Sequence, residues 1–441
     1  MTGLTYEELV RTLFPRLAGG IRWGLERTER LLASVGDPHR AYPTIHVGGT
    51  NGKGSVAASI ASVLRQAGLR TGLYSSPHLC TFRERIQIDG EAIAEGALVA
   101  AAERLWPRIQ VESPSFFEAT TAIAFLALAD ARVDAAVVEV GLGGRLDATN
   151  VITPAAVALT NVSLDHVELL GHSVEAVARE KAGIINAGVP AVTAETGAAP
   201  LAVFRERARA VGAPLHLLDE RRVRVETAAD RTRVDVVTDT WGRIAVETPL
   251  LGAHQGRNTA LAVRTLDLLP PPLRPDAADV VRGIAGVRWP GRLQRERLYG
   301  RSWIFDVAHN VAGVEALTAA IGALSPARPL AALVGVLGDK DWRGMLGPIA
   351  GVADALVLTL PPTAPHERRW DPHAVLRAMP DVGATAEPDF TRALERAWRS
   401  AADGGTVLVT GSFHTVGDAL IALGRSPYGA DVTLPPPSFA A

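Results

Sequence analysis

The stretch HVGGTNGKGSVAASIASVL, residues 46 to 64, constrains this chain more than any other. A β-branched run, Thr44 to Val47, enters Gly48-Gly49-Thr50-Asn51-Gly52-Lys53-Gly54-Ser55. Apolar spacing then predicts a helix over Val56 to Ala67, closed by Gly68 as a C-cap. Glycines at a strand-to-helix turn let successive backbone N–H groups face a phosphate chain, and the helix N-terminus adds a favourable field. Lys53 supplies a point charge for β- and γ-phosphates, and Ser55 a hydroxyl within reach of magnesium. The loop departs from the usual nucleotide-binding pattern because Gly54 separates Lys53 from Ser55.

The rest of the chain alternates short β-branched runs with Ala- and Leu-rich helical stretches. Strands are predicted at Thr44 to Val47, Thr71 to Tyr74, Ala135 to Val140, Ala156 to Thr160 and Val189 to Thr193. Strands spaced by helices imply parallel βαβ units and a doubly wound sheet. Leu218 to Val246 alternates like antiparallel hairpins and reads as a small β excursion at the edge of this domain. With 441 residues, two domains are expected. A second, Rossmann-like α/β pattern begins near 297, with strands at Trp303 to Phe305, Leu330 to Val336, Ala355 to Leu360 and Thr406 to Thr410. The division therefore falls between 1–296 and 297–441, with a hinge at Val287 to Arg295, where Trp289-Pro290-Gly291 cannot continue a helix. The Pro-rich tail, Leu434 to Ala441, reads as loose.

Composition excludes several classes. Lys plus Arg total 45 against 47 Asp plus Glu, so no bulk field recruits nucleic acid or anionic lipid. Cys80 stands alone, which excludes an intrachain disulfide and suits a reducing cytoplasm. Acidic residues occupy the place where a secretory signal carries Lys or Arg. The longest apolar candidate, Phe116 to Ala129, contains Glu118 and two threonines and reads as a buried helix, not a membrane span.

Glu139 ends an apolar strand, where the open edge of a parallel sheet presents ligand groups; a carboxylate there can hold magnesium or cap a helix. On spacing alone, His166 is a hydrogen-bonding loop residue, Lys181 a solvated helix lysine and Ser76 a loop serine.

Together these blocks resemble the Mur ligase superfamily, and more narrowly folylpolyglutamate synthase and dihydrofolate synthase. The resemblance rests on GTNGKGS at 49 to 55, SSPHL at 75 to 79, FRERI at 82 to 86, FFEATTAIAF at 116 to 125 and EVGLGGRLDATN at 139 to 150. It continues through TNVSLDHVELLG at 160 to 171, EKAGI at 180 to 184, HQGRNTALA at 254 to 262, WPGRLQ at 289 to 294 and DVAHN at 306 to 310. It spans about residue 20 to residue 418, in order.

The resemblance implies ATP at Gly49, Thr50, Asn51, Gly52, Lys53, Gly54 and Ser55, met by Asn258, Arg292 and Asp306. It assigns one or two magnesium ions to Ser55, Ser76, Glu139, His166 and a carbamylated Lys181, and places His309 near the reacting centre. A carbamate turns a cation into an anion, which explains how a lysine can serve a metal. For a pterin-bearing substrate it points to Phe82, Arg83, Arg85, Ser115, Phe116, Phe117, Glu118, Leu146, Asp147 and Ala148. Aromatic and Arg side chains can sandwich a flat heterocycle and meet a carboxylate, although phenylalanines are as often plain core.

The implied reaction is ATP-dependent ligation of L-glutamate to a reduced folate or dihydropteroate through an acyl phosphate. A soluble cytoplasmic monomer is expected, with no nucleic-acid or membrane partner. The rivals are a murein-precursor ligase and a nucleotide-binding regulatory protein. Only 47 residues precede Gly48, few for the extra N-terminal domain of the former, and the set Lys53, Glu139, His166, Lys181 and Asp306 argues against the latter.

Overall fold

The structure is a computed structural model and describes residues 3–14 and 23–439. Eight strands form the first sheet: β1 Thr44–Gly48, β2 Thr71–Tyr74, β3 Ile86–Ile88, β4 Glu91–Ala92, β5 Ala135–Glu139, β6 Ala156–Leu159, β7 Ala191–Thr193 and β8 Leu215–Leu217. Their order is β4-β3-β2-β5-β1-β6-β7-β8, all running in one direction except β3, which pairs antiparallel with β2 and β4. The central strands β1, β5 and β6 are buried throughout, which is why they read as continuous apolar runs. The helix predicted from Val56 starts earlier and spans Lys53–Gln66, directly after the glycine loop. Phe116–Asp130 is a buried helix, as its composition implies.

The β excursion is a separate three-stranded antiparallel sheet, β9 Val223–Thr227, β10 Thr232–Val237 and β11 Arg243–Thr248, ordered β11-β10-β9. It does not extend the edge at β8. Val234, Val236 and Val246 face inward and join the core of the helix Ala253–Asp267 through Leu261 and Val263. Burying that alternating apolar face requires a helix, which the sheet edge does not supply.

The second sheet contains β12 Gln294–Leu298, β13 Arg301–Phe305, β14 Leu330–Val334, β15 Ala355–Leu358, β16 Ala384–Ala386 and β17 Thr406–Thr410. The order is β12-β13-β17-β14-β15-β16, with β12 antiparallel to β13. Strand β12 thus crosses the expected division at 296, and the second domain's sheet starts inside the expected hinge segment. The tail is not loose over its described part. Phe439 packs against Tyr299, Trp303 and Trp398, and the Ser438 N–H donates to Glu395. Ala440 and Ala441 lie outside the described residues.

After the last helix, Phe413–Ala422, the chain returns to the first domain. The Asp431 carboxylate accepts from the Tyr6 hydroxyl at 2.9 Å, the Thr81 hydroxyl at 2.7 Å and the Phe82 N–H at 2.7 Å. Among the described residues no helix is long and apolar enough to cross a membrane.

Candidate active site

The ends of β1 and β5 and the loops after β6 and β13 surround a cleft of about 450 Å³ between the domains. Such a position, beyond the carboxyl ends of parallel strands, is where open α/β sheets bind ligands. The glycine loop forms one wall. Gly49 and Gly52 have φ of +133° and +86°; a Cβ at Gly49 would collide with the Thr160 hydroxyl, and one at Gly52 with the Asn258 amide. The loop is pinned by Asn161, whose carbonyl accepts the Thr50 N–H at 2.8 Å and whose side chain accepts the Asn51 N–H at 3.0 Å. Lys53 Nζ donates to the Thr50 carbonyl at 3.1 Å. Ser55 Oγ is buried with no hydrogen-bond partner.

Glu139, the last residue of β5, is buried and accepts the Ser76 N–H at 3.2 Å. Burial pushes its carboxyl up, opposed most by Lys53. Lys181 is buried too, and its Nζ donates to the Gly49 carbonyl at 2.8 Å. Burial, and then Lys53, lower its ammonium to about 7. His166 has φ +51° and starts the single turn Val167–Leu170. Desolvation and the Lys340 charge hold its imidazole down at about 4.

The second domain forms the facing wall. Arg292 lies 5.1 Å from the Phe413 ring centroid. Buried Asp306 accepts the Leu293 and Ala308 N–H groups at 2.9 and 3.0 Å. His309 Nδ1 lies 2.9 Å from the Val307 carbonyl, and burial lowers its imidazole to about 4. The cleft therefore brings together the glycine loop, Ser76, Glu139, His166, Lys181, Asn258, Arg292, Asp306 and His309.

The expected pterin contacts do not line this cleft. Ser115 and Glu118 form a capping box at the start of Phe116–Asp130, and Glu118 also pairs with Arg27 at 2.8 Å. Asp147 accepts from the Leu142 N–H and from the Thr149 N–H and hydroxyl, capping the turn that contains Ala148. Leu146 is half-buried beside it. Arg83 donates to the Ile93 and Tyr428 carbonyls. Ser115, Glu118 and Asp147 thus spend polar atoms on local caps, whereas Arg83 reaches a distant carbonyl and its buried Nε has no hydrogen-bond partner among the described residues. Phe82, Phe116 and Arg85 form one cluster, with the guanidinium 5.8 and 5.2 Å from the two ring centroids. Arg85 Nε donates to His78 Nδ1 at 2.9 Å and has no carboxylate in ion-pair range among the described residues. The Phe117 ring fills the space where a Cβ on Gly141, a cleft-wall residue, would fall.

Sequence reasoning did not single out Asp165, which lines this cleft, or Asn310 and Lys340, which bond to it from the second domain. Asp165 accepts from Lys340 Nζ at 2.7 Å and Asn310 Nδ2 at 3.0 Å, bonds made across the domain interface. Asp165 and Asn310 each left a sequence signal, as neighbours of His166 and His309 in motif blocks; Lys340 left none.

Among the described residues no three His, Cys, Asp or Glu side chains converge into a metal cluster. Magnesium needs none. It is held by one or two carboxylates plus phosphate oxygens and waters, and the orphaned Ser55 hydroxyl and the strand-end Glu139 fit that requirement.

Residues 47–266 match the Mur ligase middle domain, and residues 291–413 the Mur ligase glutamate ligase domain. Folylpolyglutamate synthase of Lacticaseibacillus casei is 36% identical over 404 residues, covering 87% of this chain and 89% of that one. The chain belongs to the folylpolyglutamate synthase/dihydrofolate synthase family. Dihydrofolate synthase/folylpolyglutamate synthase of Bacillus subtilis is 33% identical over 80% of this chain and 84% of its own. Mycobacterium tuberculosis folylpolyglutamate synthase complexed with ADP superposes with a TM-score of 0.88 at 33% identity, over 96% of this chain and 99% of that one. Members of this family are ATP-dependent, amide-forming ligases, and this chain is one. The glutamate ligase match opens at 291, just ahead of β12, and the relatives set aside the murein-precursor and regulatory alternatives.

Proposed function

We propose that this chain uses ATP to join L-glutamate to the carboxylate of a reduced folate, dihydropteroate, or both. The γ-phosphoryl group passes to that carboxylate, the glutamate amine attacks the acyl phosphate, and phosphate leaves. One observation carries the reading: the glycine loop of the first domain faces Arg292, Asp306 and His309 of the second across a single cleft.

Lys53 and Arg292 neutralise and orient phosphate oxygens, and catalysis then rests on positioning and charge. Ser55 and Glu139 hold magnesium, with Ser76 and His166 as further ligands; the bound metal neutralises phosphate charge. We assign Lys181 to a carbamate. Its lowered pKa supports this, because the neutral amine is the form that adds carbon dioxide. His309, its imidazole lowered to about 4, is neutral at pH 7 and is suited to hydrogen-bond near the reacting centre. The Phe82, Phe116 and Arg85 cluster supports an acceptor site beyond the Phe117 and Gly141 wall, with a guanidinium, bonded among the described residues to His78 but to no carboxylate, left to meet one. A cytoplasmic monomer completes the reading, supported in location by a single buried cysteine.

Mass spectrometry of products tests it, with dihydropteroate and tetrahydrofolate offered separately alongside ATP and glutamate. A mass gain of one glutamyl residue, with ADP formed only when acceptor and glutamate are both present, is expected. ATP turnover that ignores both substrates would sink the reading.

A further inference from the structure

Of the 45 basic residues in this chain, 42 are arginine and only three are lysine: Lys53, Lys181 and Lys340. A chain that uses arginine almost everywhere keeps lysine where a guanidinium cannot serve. Two of the three lie in the cleft, each in a role that suits a compact ammonium. Lys53 belongs to the glycine loop, and Lys181 is buried against the Gly49 carbonyl. The cleft is lined by four basic residues, two of them lysine, so the few lysines concentrate at the chemistry.

Lys340 reaches the same place from the other domain. It sits on a turn after β14 that is held in place: the Gly338 N–H donates to the Arg368 carbonyl at 2.7 Å, and Asp339 pairs with Arg368 at 2.7 Å. From there Nζ crosses to Asp165 at 2.7 Å, and both side chains are only about a tenth exposed. Asp165 is nearly saturated. Its Oδ1 also accepts the His166 N–H at 2.9 Å, and its Oδ2 accepts from Asn310 at 3.0 Å. A planar guanidinium seeking two carboxylate oxygens would displace Asn310; a lysine needs only one. The same carboxylate lies 3.8 Å from His166 Nε2 and 3.9 Å from His309 Nε2, one imidazole from each domain.

We propose that Lys340 is the third working lysine of this protein, a positioning residue that draws the second domain onto the cleft through Asp165 and so keeps water from the acyl phosphate. The inference rests on the ligase reading. A buried cross-domain pair is weak evidence for stability, since desolvation offsets much of its attraction, but it sets the relative position of what it joins. If closure is lost, water replaces the glutamate amine as nucleophile. The acyl C–O bond to phosphate then breaks to give back the carboxylate plus phosphate, and ATP is hydrolysed without an amide.

Lys340→Met and Lys340→Arg test this, with amide product and phosphate measured in the same reaction. Expected in Lys340→Met is an amide-forming kcat lower by about thirtyfold or more, the cost of truncating a buried interfacial pair, and in Lys340→Arg a smaller loss in the same direction. Phosphate released per amide should rise well above the wild-type ratio of one. The KM for ATP should change far less than kcat, because the glycine loop with Lys53, most of the phosphate cradle, belongs to the first domain. Should the Met variant fail to fold, Lys340→Arg, which keeps charge and bulk, carries the test alone. A Lys340→Arg enzyme with wild-type rate and a ratio of one overturns the inference, and so does a slowed enzyme whose ratio stays at one. Wild-type protein that forms no amide overturns the ligase reading instead.

Discussion

Asn51 and Asn310 donate to each other's amide oxygens across the domain interface, at 3.3 and 3.0 Å. Asn51 belongs to the glycine loop, while Asn310 also caps the helix Val311–Leu324 by accepting the Gly313 N–H at 2.8 Å. The loop that cradles phosphates is thereby tied to the start of a helix in the other domain. Removing Asn310 as Asn310→Ala takes away the cap and both cross-domain donations. Urea unfolding should show a loss of about 1–2 kcal/mol, in the range of a lost N-cap. Asn310→Asp restores the cap acceptor but sets a second carboxylate against Asp165, so glutamate-dependent turnover should stay low even where stability partly recovers.

Glu139→Gln should abolish magnesium-dependent turnover, by about 100-fold or more, with the fold intact. Burial already disfavours the charged carboxylate, so the neutral isostere should unfold at an equal or higher temperature than wild type at pH 8 without metal. A magnesium titration of rate beside a thermal melt checks both. Near-normal turnover at limiting magnesium would return Glu139 to a structural role.

Lys181 makes stability rise with pH. Its ammonium titrates at about 7 in the folded chain against 10.5 unfolded, so between those values the unfolded state binds more protons. In carbon-dioxide-free buffer, the stability of wild type relative to Lys181→Met should climb from pH 7 towards 10.5 and stay flat below 7. In bicarbonate buffer, labelled carbon dioxide should give a carbamate NMR signal that the variant lacks. Active wild-type enzyme without that signal would dismiss the carbamate.

Asp418 carries the opposite slope. It is buried, accepts the Thr363 N–H at 3.1 Å, and burial pushes its carboxyl up to about 6 from 3.8. The folded state therefore binds more protons between those values, and this group's contribution weakens as pH rises through them. Asp418→Asn should gain stability relative to wild type from pH 4 to 6 and hold the gain above. Equal pH dependence in the two proteins would contradict the assignment.

What the sequence revealed was local. The glycine loop, the strand ends and the buried helix lie in contiguous stretches whose periodicity and residue types announce them. The helix after the loop begins at Lys53 and not at Val56 because Gly52, at φ +86°, already completes the turn. Strand β12 escaped notice because Gln294-Arg295-Glu296-Arg297 has no apolar face, as an edge strand outside the core allows. The contacts among Asp165, Asn310 and Lys340 join positions 145 and 175 residues apart, which no local period encodes. Ser115 and Glu118 teach a different lesson. Their Ser-x-x-Glu spacing before an apolar run is itself a capping signal, and the structure uses it so.

The return of the chain to the first domain at Asp431 sets the kind of motion this molecule permits. The outgoing crossing, at Arg288 and Pro290, and the returning one, at Pro427 and Tyr428, line the same small cavity of about 160 Å³. A body held at two neighbouring points swings like a door on its jamb, and slides or twists far less readily. The bonds of Asp165 with Lys340 and of Asn51 with Asn310, on the far side of the cleft from that jamb, are then the latch.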